Sequence, residues 1–223
     1  KSKIKNSRPR VAADVKRHAK RIYRTLSELY PDAHCALKHH NAFQLLVSTI
    51  LSAQCTDERV NMVTPALFKK YAGAKAMAKA ELADLEELIR STGFFRNKAK
   101  SLKGAAQAIV ADHGGRVPDT MDDLTALHGV ARKTANVVLG NAFGKNEGVV
   151  VDTHVARLSQ RLGLTKYKDP KKIEQDLIKH FDRDTWTMLS HLLIFHGRQV
   201  CGARKPKCDQ CKLEGVCPKL GVG

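Results

Sequence analysis

The sequence predicts an all-α protein, and three observations carry that reading. Apolar residues recur at helical spacing through most of the 223 positions. The one β-branched run, "GVVV" at 148–151, is too short to seed a sheet. There is no long-period repeat of the solenoid kind and no low-complexity linker beyond the basic N-terminus.

In chain order, Val11, Val15, Ile22, Leu26 and Leu29 form one helical stripe that ends near Pro31. Phe43, Leu46, Val47, Ile50 and Leu51 form a second, apolar on so many sides that it belongs deep in a core. Further helices are expected at about 57–71, 82–91, 96–113, 120–127, 132–143, 152–162, 170–181 and 185–199. The helix near 120 carries its own start signal: Pro118 precedes Thr120, and Asp123 follows at capping-box spacing. Composition alone marks no domain boundary.

Lys and Arg number 39 against 22 Asp and Glu, a net charge of +17. Such a surplus selects a polyanion, nucleic acid by default, with a solvated basic surface as the plain alternative. The cations are spread along the chain, and the aromatics, 5% of residues, form no platform for stacking single-stranded bases. No run of about 18 apolar residues is present to span a membrane, and the opening "KSKIKNSRPR" lacks the apolar stretch of a secretory signal. The expectation is an intracellular protein with no membrane partner.

Six cysteines in such a compartment argue against a disulfide framework. Cys35 and Cys55 stand alone and read as small buried thiols. Cys201, Cys208, Cys211 and Cys217 follow C-x6-C-x2-C-x5-C, so four thiolates can converge on one centre. Spacing by itself permits tetrahedral zinc or an iron–sulfur cluster. Between the first two, "GARKPK" presents Arg204, Lys205 and Lys207 as candidate phosphate contacts that weaken with salt.

"LHGVARKTANVV" at 127–138 describes a helix-hairpin-helix over 120–143: a helix ending at Leu127, a tight turn through Gly129 and Val130, and a helix opening near Arg132. Unpaired amides in the turn and at the second helix's N-terminus, aided by the helix dipole, form a site for phosphate oxygens. His128, Gly129, Val130, Ala131, Arg132 and Thr134 are the candidate contacts. They would hold a duplex in register without reading its sequence.

With "VDTH" at 151–154, "LSAQCTD" at 51–57 and the cysteine array, this hairpin resembles the endonuclease III family, base-excision DNA glycosylases with an associated lyase activity. The resemblance runs in order over nearly the whole chain. It implies a helical barrel of residues 35–146 inserted in a second lobe, 1–34 plus 147–223, with the DNA groove and active site between them. It also implies that the four cysteines hold a 4Fe–4S cluster through the loop 201–217. The implied substrate is double-stranded DNA containing oxidised pyrimidines or abasic sites. The protein is expected to act as a monomer, cytoplasmic and nucleoid-associated if bacterial.

By the same resemblance Lys133 is the nucleophile. A lysine near its ordinary pKa of about 10.4 is almost wholly protonated at pH 7, so a nucleophilic one needs its cation destabilised. Lys133 falls in the first helical turn, where the dipole and Arg132 both act against an ammonium ion. Attack on C1′ displaces the base, a Schiff base with the opened sugar follows, and β-elimination nicks the strand. A second group must handle protons and the positive charge on the sugar. Asp152 matches the family's carboxylate, and it also reads as a plain N-cap.

C1′ of a stacked nucleotide is shielded, so the target must be flipped out and the gap filled. Gln54 matches the family residue in that void; read alone, it is equally a polar cap of a 43–54 helix. Phe94 in "TGFFRNKAK" is the candidate wedge, with packing of Phe94 or Phe95 into the core as the alternative. His154 is placed to touch phosphate or the opposite strand, or to be an ordinary structural histidine.

Two hairpin positions depart from the family pattern: His128 stands where proline is common, and Ala131 replaces a second glycine. Were Ala131 to need positive φ, the cost would be on the order of 1 kcal/mol. Two rivals remain. Adenine-excising relatives without lyase chemistry carry a catalytic acid where this chain has Ile50, and usually lack the hairpin lysine. A non-enzymatic helix-hairpin-helix iron–sulfur DNA binder needs no pairing of Lys133 with Asp152.

Overall fold

The computed structural model describes residues 12–222, and among these there is no strand. Val11, residues 1–10 of the expected second lobe and Gly223 lie outside the described residues. The helices in order are α1 (Ala12–Leu29), α2 (Ala42–Leu51), α3 (Asp57–Lys70), α4 (Ala74–Ala78), α5 (Leu82–Ile89), α6 (Phe95–His113), α7 (Met121–Ala126), α8 (Arg132–Phe143), α9 (Thr153–Arg161), α10 (Pro170–His180) and α11 (Trp186–Gln199). The chain divides into two compact units, one of residues 12–34 with 148–222, the other Cys35–Glu147.

Side-chain caps start several of these helices where the sequence supplies them. Asn41 Oδ1 accepts from Gln44 N at 2.9 Å to open α2. Thr120 Oγ1 accepts from Asp123 N and donates to Asp123 Oδ2, opening α7 at the expected spacing. Asp169 caps α10, whose first residue is Pro170. Each such cap is worth about 1 kcal/mol.

In the Cys35–Glu147 unit, α2 is the centre. Its residues from Leu45 to Leu51 are all buried, and it packs against α3, α6 and α8. The short α4, "AKAMA", was not expected; five residues are too few to show a period, and Met77 and Ala74 bury it against α6. Cys35 and Cys55 are half-buried against this core.

In the other unit, α11 packs against α1 and α9 around Ile22, Leu26, Leu158, Leu189 and Leu193. Leu29, the last residue of the expected stripe, is exposed at the end of α1. "GVVV" forms no strand; Val149 and Val151 are buried and Val150 N donates to Ser190 Oγ at 3.0 Å. It serves as a rail that delivers Asp152 to the start of α9.

Burial, and next the charge of nearby His34, push His191 on α11 down to about 4. The unfolded chain therefore takes up this proton near its usual 6.5, while the folded protein resists it until about 4. Stability is full above pH 6.5 and falls as pH drops toward 4, by at most about 1.4 kcal/mol per pH unit for this group. In urea denaturation between pH 7 and 4.5, His191→Gln should flatten that decline by a comparable amount; an unchanged slope would show that His191 does not titrate this way.

Candidate nucleic-acid interface and metal centre

The hairpin forms between α7 and α8. Leu127 and Val130 are buried and anchor the turn, while His128, Gly129, Ala131, Arg132 and Lys133 are exposed. Gly129 has φ of 78°, the left-handed region that favours glycine. It also lies against α6 so closely that a Cβ there would sit 2.6 Å from Ser101 Cβ and Oγ. His128 packs over Gly104 one turn along α6.

Ala131 needs no positive φ. It is the N-cap of α8 in extended backbone, φ −92° and ψ 166°, so replacing the second glycine strains nothing. Its side chain gives no cap hydrogen bond, which leaves first-turn amides of α8 to an outside acceptor. Arg132 Nη2 donates to Glu147 O at 3.2 Å. Lys133 and Thr134 follow in the first turn of α8, Lys133 exposed and Thr134 half-buried.

Among the described residues, three that are not glycine have positive φ: Gln54 (52°), Phe94 (48°) and Lys219 (52°). Two of these are the residues expected to enter DNA. Gln54 is no helix cap; α2 ends at Leu51 with Ser52 as its C-cap, and Gln54 stands exposed in the following turn. Phe94 is 64% exposed at the start of α6, whereas its neighbour Phe95 packs against the core. Non-glycine residues held in this region cost on the order of 1 kcal/mol or more and recur where a side chain must be aimed.

In the other unit, Asp152 caps α9, its Oδ1 accepting from Val155 N at 2.8 Å. His154 lies partly buried two residues on, and Arg157 Nη2 donates to its Nδ1 at 3.1 Å. Burial, then the charges of Arg157 and Arg198, hold His154 below its usual pKa, with Asp152 pulling the other way.

Cys201, Cys208, Cys211 and Cys217 line one open pocket. Among the described residues no three Cys, His, Asp or Glu side chains converge on a point fit for one ion. Four thiol side chains around one pocket form a donor set suited to a thiolate-bound metal centre. Burial pushes the Cys211 and Cys217 thiols up, and neighbouring thiols add to it, so a cationic centre is what would hold these two as thiolates.

The surroundings orient those sulfurs through residues the sequence did not single out. Arg161, 7% exposed, donates to Gly202 O, Ala203 O and Cys201 Sγ. Arg157 donates to Gly197 O and Cys201 O. Burial holds His196 down to about 4. As a neutral ring it shares hydrogen bonds with Tyr30 Oη through Nδ1 at 2.9 Å and with Cys211 Sγ through Nε2 at 3.3 Å. In sequence these arginines look like ordinary cations of an amphipathic helix. Arg204, Lys205 and Lys207 are exposed on the loop that Arg161 ties down.

Residues 47–183 match the model of the HhH-GPD superfamily, base excision DNA repair proteins. The chain is 56% identical to endonuclease III of Synechocystis sp. over 209 residues, covering 94% of this chain and 95% of that relative. It is 43% identical to endonuclease III of Bacillus subtilis over 193 residues, 86% of this chain and 88% of the relative. Two solved structures each align at a TM-score of 0.87 and 40% identity over 92% of this chain: a non-covalent endonuclease III–DNA complex (95% of that chain) and a trapped endonuclease III–DNA covalent intermediate (96%).

Gly129→Ala should cost at least about 1 kcal/mol from backbone strain, plus the clash with Ser101. Thermal unfolding and duplex binding should both weaken. Adding Ser101→Gly should restore part of the loss, because it removes the clash and leaves the strain. Full tolerance of Gly129→Ala would show that the turn is not seated on α6 as described.

Proposed function

The chain belongs to the HhH-GPD superfamily of base excision DNA repair proteins and, within it, to the endonuclease III family, and from that premise we propose how its own residues perform glycosylase and AP-lyase chemistry. The protein is a bifunctional DNA glycosylase and AP lyase of base excision repair. Its substrates are oxidised pyrimidines and abasic sites in double-stranded DNA, and it acts as a monomer on the chromosome in the bacterial cytoplasm.

One observation supports this reading above the rest: Lys133 stands exposed in the first turn of α8, beside a glycine turn and a helix N-terminus that has no side-chain cap. Because solvent surrounds the amine in the free protein, excluding water falls to bound DNA. The hairpin amides and the N-terminus of α8 hold phosphates and present the strand. Gln54 and Phe94, aimed outward by left-handed backbone, fill the gap left by the flipped nucleotide.

The Lys133 amine attacks C1′; the carbon–nitrogen bond forms as the glycosidic bond breaks, and the base departs with a proton. Ring opening gives the Schiff base. Loss of a C2′ proton then expels the 3′ phosphate. Asp152, oriented by Val155 N–H, offsets positive charge on the sugar and takes part in proton transfer. Cys201, Cys208, Cys211 and Cys217 would hold a 4Fe–4S cluster. Its contribution is structural, bracing the loop that carries Arg204, Lys205 and Lys207.

Borohydride should trap a covalent adduct on duplex DNA with an abasic site or thymine glycol. Lys133→Gln should abolish the adduct while binding survives, and Asp152→Asn should slow excision by on the order of 100-fold. An adduct of wild-type yield from Lys133→Gln would move the nucleophile elsewhere. Freshly purified protein should contain about four iron and four sulfide per chain. Zinc without iron would overturn the cluster.

A further inference from the structure

The two residues expected to enter DNA sit on loops 40 positions apart in sequence, yet one buried side chain grips both loops. Lys98, in the first turn of α6, is 5% exposed. Its Nζ donates to Leu51 O at 2.8 Å and to Thr92 O at 2.7 Å. Leu51 is the last residue of α2, three before Gln54. Thr92 closes the 3-10 turn two residues before Phe94. A helix end leaves carbonyls without intrahelical partners, and an ammonium has three protons to donate; here two of them join the ends of two different elements.

We propose that Lys98 is a positioning residue for base extrusion: its ammonium ties the Gln54 turn to the Phe94 turn, so that both side chains enter the DNA at a set separation. This rests on the reading that Gln54 and Phe94 insert. Burial lowers the Lys98 pKa, with Cys55 pulling weakly the other way. An apolar residue of similar volume would avoid the cost of desolvating a lysine but would leave the Leu51 and Thr92 carbonyls without this donor. What Lys98 adds is a link between two carbonyls that no apolar residue can make. It touches neither phosphate nor sugar in this role.

The test compares the holoenzyme with Lys98→Met, which has similar length and no donor, and with Lys98→Gln, which keeps a polar head if the first variant does not fold. Three readouts are needed: excision of an oxidised pyrimidine from duplex DNA, fluorescence of 2-aminopurine placed opposite the lesion, and cleavage of an abasic site in a single-stranded oligonucleotide. The single strand has no partner base and no gap to fill. Either variant should excise from duplex on the order of 100-fold more slowly and lose the fluorescence change, while single-strand cleavage stays within about threefold. Equal loss on both substrates would reduce Lys98 to a structural residue, and wild-type duplex excision would overturn the proposal. Gln54→Ala and Phe94→Ala separate the two levels. If they leave the 2-aminopurine signal intact, the insertion reading itself fails. If they abolish it and the Lys98 variants do not, only the clamp does.

Discussion

The close seating of the hairpin backbone on α6 is the constraint on which the candidate DNA-facing surface of its unit depends. At Gly129 the main chain comes so near Ser101 that no Cβ fits between them, and Val130 and Leu127 are buried on either side. A loop held only by its ends would spread its amides over many orientations; one pressed onto a helix presents them in one arrangement, with the entropy already lost before DNA arrives. The same helix starts at the Phe94 turn and carries Lys98, so hairpin, wedge and Gln54 turn share one support.

The other unit solves a different problem by similar means. Asp152 follows the segment 148–151, which Val149, Val151 and the Val150–Ser190 hydrogen bond tie to its unit, and its carboxylate is fixed by the Val155 amide. From the helix it opens, Arg157 and Arg161 reach the carbonyls and sulfur of the cysteine loop. A loop of this composition, rich in cations and poor in apolar residues, has little core of its own. Guanidinium hydrogen bonds to its carbonyls, and thiols ringed around one cavity, take the place that apolar burial fills elsewhere. Among its residues only Leu213 is fully buried.

Of the three non-glycine residues in left-handed backbone among the described residues, two are those expected to enter DNA and the third is Lys219. Left-handed backbone appears at Gln54 and Phe94, both exposed and both beside buried helix ends. Ala131, by contrast, sits in ordinary extended backbone, and the departure from a second glycine is silent because Gly129 alone takes the turn. His154, placed by the family motif to touch phosphate or the opposite strand or to be an ordinary structural histidine, is held below its usual pKa by burial and is bound by Arg157.

What was legible in the residues was whatever depends on near neighbours. Helical periodicity placed ten of the helices within a few residues, Thr120 and Asp123 marked a start that the structure repeats, and the order of hairpin, "VDTH" and cysteines pointed to the family. Those signals are local because a helix turn spans four residues and a cap spans three. The tertiary structure alone decided the rest: that Phe94 faces out and Phe95 in, that Lys98 is buried between two carbonyls, and that Arg157, Arg161 and His196 serve the cysteine loop. A lysine or arginine in an amphipathic helix carries the same one-letter signal whether it meets water or a carbonyl 47 positions away, because its partner is chosen by packing in three dimensions.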